Sequence, residues 1–260
     1  MSYDRQLLLA GAKRNEILEL CEVQRYGSDS YGDPDYVSIY GMRPSGWYEK
    51  GIRLLGRTAV ECTRDDLGRK IGEDVAALAA AFPSASRPLV VDPFAGSGNT
   101  LYWLLHSLPG ALGLGFELDA KVSHLTQQNL AALSWPVRFL NVDFQSGLAA
   151  VTPAADQLTV VFVAPPWGDA IDMTSGLDLA RTKPPISEII DLLAQQWPAS
   201  PLLCAIQVFE HVESASLDAV QSRFDWSRLE TYTLNAPGHN HGLLMGTRNW
   251  SPHRSAAAKP

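Results

Sequence analysis

The sequence predicts an α/β fold with a doubly wound, mostly parallel, seven-stranded sheet. From Arg87 onwards, short continuous apolar runs alternate with stretches of helical periodicity, a pattern typical of a parallel sheet that helices cover on both faces. The last two apolar runs are separated only by residues 235–241, which include Pro237-Gly238 and indicate a hairpin-like connection. We therefore expect the final strand to be antiparallel.

The elements of this sheet follow from apolar runs and helical spacing. The predicted strands are Leu89–Asp92, Leu112–Glu117, Val137–Val142, Thr159–Val163, Leu202–Val208, Arg228–Leu234 and Gly242–Thr247. The predicted helices between them are Thr100–Leu108, Ala120–Leu133, Ile186–Gln196 and Leu217–Arg223. Upstream, the spacing predicts one helix over residues 3–25 and another that has Thr63 as its N-cap and ends before Pro83.

The chain divides into three segments by composition. Residues 1–86 are expected to form an N-terminal helical and aromatic extension, residues 87–250 the main domain, and residues 251–260 a disordered tail. The stretch 26–48 contains five tyrosines together with Trp47. A solvated linker does not need so many aromatic residues, so we expect this stretch to pack on the main domain.

The composition narrows the class of protein. The chain has 260 residues, a formal net charge of −7 and 46% hydrophobic residues, which is enough for a substantial core. An acidic chain disfavours broad, non-specific binding to nucleic acid. The three cysteines are far apart, without metal-ligand or disulfide spacing, which indicates a reducing cytoplasm. We expect no membrane span, because the apolar runs are too short, and no metal site, because His239 and His241 lack partner ligands at suitable spacing.

A glycine loop follows the first strand of the predicted sheet. Gly96 and Gly98 remove side chains where the backbone must approach a ligand, and Asp92 places a carboxylate at the same strand end. A dinucleotide-binding fingerprint requires a third glycine, but Leu101 occupies that position. This departure argues against a nicotinamide-dependent oxidoreductase.

The next two predicted strands also end in acidic residues. Glu117, about twenty positions after the glycines, lies where a carboxylate accepts hydrogen bonds from both hydroxyls of a ribose. Asp143 is placed to accept from the exocyclic amine of adenine, and Phe144 to pack on the base. These residues favour a nucleoside-shaped ligand at the edge of the sheet where open α/β folds bind ligands.

A second loop, Ala164–Trp167, follows the fourth predicted strand. Two consecutive prolines fix its backbone, and Trp167 offers a flat surface on which a planar substrate can stack. The connection 168–185 is long for a compact domain, and connections of this length are commonly functional. We expect it to be a substrate lid.

Together these motifs resemble those of class I S-adenosylmethionine-dependent methyltransferases, in particular the amino-methyltransferase branch, which acts on exocyclic nitrogens of nucleobases. The Asp-Pro-Phe-x-Gly-Ser-Gly loop of residues 92–98 and the Pro-Pro-aromatic tetrapeptide carry this resemblance. Trp167-Gly168, Trp47 and Thr63-Arg64-Asp65-Asp66 are most similar to the trimethylguanosine synthase and guanine-N2 methyltransferase group.

The resemblance implies a Rossmann-like methyltransferase domain with S-adenosylmethionine as its cofactor. The residues it implies as cofactor ligands are Asp92, Phe94, Gly96, Gly98, Asn99, Thr100, Glu117, Asp143 and Phe144. Those implied in catalysis are Ala164, Pro165, Pro166 and Trp167, and those implied in substrate binding are Trp47, Trp167 and Asp169.

The chain departs from the family at the first position of the tetrapeptide. The family usually has Asp, Asn or Ser there, whereas Ala164 has no side-chain acceptor. Either the Pro165 carbonyl and a nearby group such as Asp169 suffice, or the target is not the usual nucleobase amine.

The expected activity is an S-adenosylmethionine-dependent N-methylation of a planar amine-bearing substrate: an RNA or cap guanine, a nucleoside, or a heterocyclic small molecule. The acidic charge favours a small substrate, whereas a basic patch of Arg43, Lys50, Arg53 and Arg57 would favour RNA. An adenine-N6 DNA methyltransferase is one alternative, although no basic DNA-reading insert is apparent. A non-catalytic cofactor-binding protein is another, supported only by Ala164.

Overall fold

A central sheet organises the computed structural model, which describes residues 3–83, 86–172, 174–234 and 240–252. Its strands are β1 Leu89–Asp92, β2 Leu112–Phe116, β3 Arg138–Leu140, β4 Thr159–Val163, β7 Leu202–Phe209, β8 Trp226–Tyr232 and β9 His241–Arg248. They lie in the order β3-β2-β1-β4-β7-β9-β8, and β9 runs antiparallel to both of its neighbours. The short strands β5 (Ile171–Asp172) and β6 (Gly176–Leu177) form a separate antiparallel pair.

This sheet confirms the predicted doubly wound, mostly parallel architecture with an antiparallel last strand. Each predicted strand corresponds to an observed strand with bounds that differ by at most two residues. Every residue of β4 and β7 is buried, which explains why these strands were readable as continuous apolar runs.

Helices cover both faces of the sheet. Their bounds are α1 Arg5–Leu9, α2 Leu20–Tyr31, α3 Pro44–Glu49, α4 Gly56–Glu61, α5 Asp65–Ala79, α6 Asn99–Ser107, α7 Ala120–Ala132, α8 Phe144–Ala149, α9 Ile186–Gln196 and α10 Ser214–Gln221. On one face, apolar side chains of α5 and α6 pack with Val90, Val160 and Leu203 of the sheet. On the other, α8, α9 and α10 pack with Val91, Val161 and Cys204. The alternation of neighbouring strand residues between these two cores is the period-two geometry of a strand.

The predicted single helix over residues 3–25 was wrong, because the chain forms α1 and α2 with an irregular stretch between them. That stretch pairs with the segment before α4. The Leu18 amide donates to the Leu54 carbonyl at 2.9 Å, and the Gly56 amide donates to the Glu16 carbonyl at 3.1 Å. These long-range backbone bonds replace the intrahelical bonds that the local spacing favoured.

The N-terminal segment shares its core with the sheet domain. Tyr26, Ile39 and Trp47 pack in one buried cluster with Ala95 of the glycine loop and Phe139 of β3. The helix α5 starts one residue later than predicted, with Arg64 and not Thr63 as its N-cap, and the Thr63 hydroxyl donates to the Gln207 side chain of β7 at 2.9 Å. The extension therefore reaches the edge of the sheet at which β7 ends.

Two classes of feature are absent from the part of the chain that the structure describes. Across those residues, no helix is long and apolar enough to cross a membrane. The same residues contain no group of three or more His, Cys, Asp or Glu side chains that could hold a metal ion. The predicted tail and the predicted hairpin turn fall largely outside the described residues.

Candidate functional site

The carboxyl edge of the sheet, where the parallel strands end, brings the candidate loops together. Parallel pairing of β1 with both β2 and β4 places the ends of these three strands side by side, and β7 follows next to β4. Chain connectivity reverses direction between β1 and β4, since β2 and β3 lie on one side and the later strands on the other. The crevice at such a reversal is the usual ligand site of an open α/β sheet.

The two glycines of the loop after β1 differ in their surroundings. Both have positive φ angles, 48° at Gly96 and 72° at Gly98, which favour glycine. A Cβ atom at Gly98 would contact Thr126 and Phe139 inside the domain. At Gly96 the nearest atom to such a Cβ would be the Phe94 carbonyl oxygen, 4.0 Å away. Gly96 thus leaves an open recess at the carboxyl edge, and Gly98 ends the turn into α6.

Two acidic side chains lie beside this recess. Asp92 is 2% exposed and accepts from the Phe94 amide at 3.1 Å, while Glu117 accepts from the amides of Gly96 at 3.1 Å and Asp119 at 2.7 Å. Burial, together with the nearby charge of Glu117, raises the pKa of Asp92 to about 7. Burial also raises the pKa of Glu117, against the opposing effect of its amide bonds. The edge therefore carries two carboxylates whose negative charge is poorly compensated.

Apolar groups border the acidic pair. The rings of Phe94 and Phe144 lie with their centroids 5.1 Å apart. Leu118, the residue after Glu117, is 73% exposed, although it is a large apolar side chain. Asp143 caps α8 by accepting from the Ser146 amide at 2.9 Å, and hydrogen bonds with the Ser146 side chain and with this amide lower the pKa of Asp143. Leu118 was not among the predicted site residues, because its exposure is a property of the folded loop and has no sequence signal.

The side chains of Asn99 and Thr100 are buried, and their role as cofactor ligands stays a prediction. Asn99 is 1% exposed. Its Oδ1 accepts from the Tyr40 amide at 2.6 Å, and its Nδ2 donates to the Thr63 carbonyl at 2.7 Å and to Asp65 at 3.1 Å. Thr100 is 6% exposed. The Asn99 side-chain amide thus attaches the N-terminal extension to the glycine loop, and both of its N–H donors are already used.

The tetrapeptide after β4 reaches the same edge. Ala164 is half-buried against the core formed with α5 and α6, and Pro166 is exposed. Trp167 is half-buried, with its ring 5.9 Å from the ring of His241 and 6.4 Å from that of Phe209. These two rings come from the ends of β9 and β7, so their proximity to Trp167 is set by the sheet order. The result is an aromatic surface that is only partly covered by protein.

The described residues of the connection 168–185 include regular structure. They form the 3-10 turn Gly168–Ala170 and the strands β5 and β6. The Leu177 amide donates to the His211 carbonyl at 2.8 Å, which attaches this connection to the loop after β7. Asp169 is exposed near the start of the connection. The predicted function of this segment as a lid stays a prediction.

Trp47 is a correction to the predicted substrate-binding set. Its side chain is fully buried, and its indole nitrogen donates to the Val37 carbonyl at 3.0 Å. Neither face of the ring is accessible, so Trp47 cannot stack on a substrate in this structure. Its role is to fill the core that the extension shares with Ala95 and Phe139.

Comparison with solved structures finds the same fold in methyltransferases. A human methyltransferase 10 domain-containing protein is 13% identical, with a TM-score of 0.53 over 73% of this chain and 84% of that one. This chain has the Rossmann-like methyltransferase fold. The METTL16 methyltransferase domain is 14% identical, with a TM-score of 0.48 over 71% of this chain and 67% of that one. A methyltransferase from Geobacter sulfurreducens is 15% identical, with a TM-score of 0.47 over 72% and 79%. No family model and no curated protein matches the sequence.

Proposed function

We propose that this chain is an S-adenosylmethionine-dependent N-methyltransferase that acts on a planar, amine-bearing substrate. The observation that carries the proposal is the pairing of two features at one edge of a methyltransferase fold. Asp92 and Glu117 border the open recess at Gly96, and the half-exposed ring of Trp167 lies on the loop after the adjacent strand. The first feature suits the cofactor, and the second suits a flat substrate.

The residues present fit this cofactor in charge and in polarity. Burial is the main cause of the raised pKa of Asp92, with the nearby Glu117 charge adding to it, and a sulfonium and an ammonium group would compensate these buried negative charges. The Glu117 carboxylate retains lone pairs that can accept from ribose hydroxyls. Phe94, Phe144 and the exposed Leu118 offer apolar surface to a purine base. The lack of a Cβ at Gly96 leaves room for a ligand against the backbone.

When bound, this cofactor supplies a methyl group that is already activated by its positive sulfur. The task of the protein is then mainly orientation, because positioning alone supplies a large part of the rate in such displacements. Pro165 and Pro166 fix the loop so that backbone carbonyls face the amine. Trp167 holds the plane of the substrate by stacking, worth about 1–3 kcal/mol by analogy with stacking of bases on aromatic residues.

The arginines of the extension support a small substrate over RNA. The Arg57 guanidinium lies 2.6 Å from the Asp119 carboxylate, and Arg43 lies 3.3 Å from that of Asp35. Arg53 stacks on the Tyr48 ring at 3.5 Å and donates to the Tyr48 carbonyl at 2.8 Å. These interactions compensate the charges of Arg43 and Arg57 and fix the side chain of Arg53, which reduces the positive charge offered to phosphates and leaves the exposed Lys50 as the remaining cation of the predicted basic patch.

Calorimetry tests the cofactor part of the proposal. S-adenosylhomocysteine is expected to bind the wild-type chain, and NAD is not. Glu117→Ala is expected to lose most of this affinity, because it removes the acceptor for the ribose hydroxyls. Binding of NAD in preference to S-adenosylhomocysteine, or equal affinity in Glu117→Ala, would contradict the assignment.

Methyl transfer from tritiated S-adenosylmethionine to adenosine, cytidine and guanosine tests the catalytic part. Trp167→Ala is expected to keep the affinity for S-adenosylhomocysteine and to lose about 5- to 150-fold in kcat/KM, the equivalent of the stacking energy. Trp226 is also half-buried, but it lies at the start of β8, away from the carboxyl edge, so Trp226→Ala serves as a control of matched size and burial. Loss of cofactor binding in Trp167→Ala would contradict the assignment of this loop.

A further inference from the structure

The register of the sheet assigns a neighbour to Ala164, the residue that lacks the usual acceptor. Strands β4 and β7 pair in parallel, with Val163 beside Ile206 as their last matched residues. Ala164 and Gln207 are the next residues along the two segments, so continuing this register by one residue would set them side by side. Both side chains belong to the face covered by α5 and α6, since Ala164 packs against the core that contains Leu203 and Ala205. The small methyl group of Ala164 leaves space for its longer neighbour.

The Gln207 side chain is held in a defined orientation. It is 9% exposed, and its Oε1 accepts from the Thr63 hydroxyl at 2.9 Å. Thr63 is fixed in turn by its carbonyl, which accepts from the Asn99 side chain at 2.7 Å. Asn99 follows the glycine loop directly, so a hydrogen-bonded chain through Thr63 joins Gln207 near the end of β7 to the loop after β1. The bond from Thr63 uses one lone pair of Oε1 and leaves the second lone pair and the amide nitrogen available.

We propose that Gln207 binds the reacting edge of the substrate, with its oxygen accepting from the amine and its nitrogen donating to an adjacent ring nitrogen. This inference rests on the proposed function. In it, Gln207 supplies the side-chain acceptor that Ala164 lacks. A carboxamide presents one acceptor and one donor side by side, and this pattern matches an amine beside an unprotonated ring nitrogen. Adenine and cytosine have such an edge, as does the 2-amino side of guanine. An alkyl amine does not.

Gln207 fits this role better than Asp169, which the sequence suggested as a substitute acceptor. Asp169 is exposed and follows Trp167 in a loop, whereas Gln207 lies on a buried strand, at the position that the continued register places next to Ala164. A carboxylate also lacks a donor for the ring nitrogen. Thr63 positions Gln207 and does not itself contact the substrate.

Nucleoside pairs that differ at this edge test the proposal. Calorimetry on the complex with S-adenosylhomocysteine compares adenosine with inosine and cytidine with uridine. At least one aminated nucleoside is expected to bind about tenfold more tightly than its counterpart, as two hydrogen bonds to a partly buried amide imply. In Gln207→Leu this preference is expected to fall to about twofold or less, with the affinity for S-adenosylhomocysteine unchanged. The exposed Gln195→Leu on α9 is the control.

Two further variants keep the result interpretable. Gln207→Glu keeps the shape and the acceptor but loses the donor, and is also expected to lose the preference. Gln207→Leu combined with Ala164→Asn is expected to restore it, because Asn returns an amide to the neighbouring position. A preference that survives in Gln207→Leu and Gln207→Glu overturns the inference. So does a wild-type complex that binds no aminated nucleoside more tightly. Failure of S-adenosylhomocysteine to bind the wild type overturns the proposed function itself.

Discussion

Single residues at the carboxyl edge are held in states that a free chain would not favour. Asp92 is almost fully buried and accepts a hydrogen bond from the Phe94 amide, while burial and the nearby Glu117 charge raise its pKa. Gly96 holds a positive φ angle beside open space. Strained or poorly compensated groups of this kind are commonly found at binding sites, where a bound ligand compensates the charge or fills the open space.

Asp92→Asn is expected to alter the dependence of stability on pH. The pKa of Asp92 is raised to about 7 in the folded chain, above the usual value near 3.8. Between these values the folded chain binds a proton that the unfolded chain has lost, so this group makes the free energy of unfolding fall as the pH rises. The uncharged Asn removes this loss of stability. The Tm of the variant minus that of the wild type is therefore expected to be a few degrees larger at about pH 8 than at about pH 5.

The measurement is calorimetric unfolding without ligand at both pH values. Asp218→Asn, on the exposed side of α10, is the matched control and should show no such change. A Tm difference between Asp92→Asn and the wild type that shrinks with rising pH would contradict the raised pKa.

Gly96→Ala tests whether Gly96 is needed to leave space for a ligand, or only to avoid the backbone strain that a side chain causes at a positive φ angle. Gly96 and Gly110 both have positive φ angles, and an added Cβ would find open space at Gly110 and only a distant carbonyl at Gly96. Alanine should therefore cost a similar amount of stability at each site, about 1–2 kcal/mol. Only Gly96→Ala should also weaken binding of S-adenosylhomocysteine, by about tenfold or more, because its Cβ enters the space of the ligand. Equal affinities of the two variants would remove Gly96 from the site.

At the scale of elements, the side-chain amide of Asn99 makes three of the hydrogen bonds between the start of α6 and the extension. Asn99 opens α6 and bonds to the Tyr40 amide, the Thr63 carbonyl and Asp65. The Tyr40 hydroxyl also donates to the Ser97 carbonyl. This contact fixes the segment that carries Thr63, so the order of the extension and the orientation of Gln207 are coupled.

Asn99→Ala is expected to destabilise the chain by about 2–4 kcal/mol, because it leaves up to three partly or fully buried polar groups without their partner. Urea unfolding followed by circular dichroism measures this change. Asn15→Ala, at an exposed position of the extension, should change the free energy of unfolding by less than about 0.5 kcal/mol. A loss below about 1 kcal/mol in Asn99→Ala would mean that water satisfies these groups.

The elements of the sheet were predictable from the sequence, whereas those of the extension were only partly so. Buried parallel strands such as β4 give a strong local signal, because both of their faces must be apolar. The break between α1 and α2 depends on backbone bonds to residues 54–56, which local periodicity does not report. Trp47 was assigned to the site because the upstream motif suggested it, but its burial depends on long-range packing. Gln207 carries no motif, and only the register beside Ala164 draws attention to it.

At the scale of the whole molecule, the extension and the sheet domain share their hydrophobic cores. Leu67, Ile71 and Val75 of α5 belong to the core on one face of the sheet. Upstream of α5, Ile39 and Trp47 pack with Ala95 and other residues of the main domain. A boundary at residue 86 cuts through both clusters, so we expect the two parts to unfold together.

A chain that starts at residue 87 is therefore expected not to fold cooperatively, since it would expose the apolar face that α5 covers. The full chain is expected to show one urea transition that coincides when followed by tryptophan fluorescence and by far-ultraviolet circular dichroism. The intermediate variant that starts at residue 63 keeps α5 and should regain secondary structure, but with a midpoint lower than that of the full chain, because the cluster around Trp47 is gone. Two separate transitions in the full chain, or a stable fold of the chain from residue 87, would show that the sheet domain is independent of the extension.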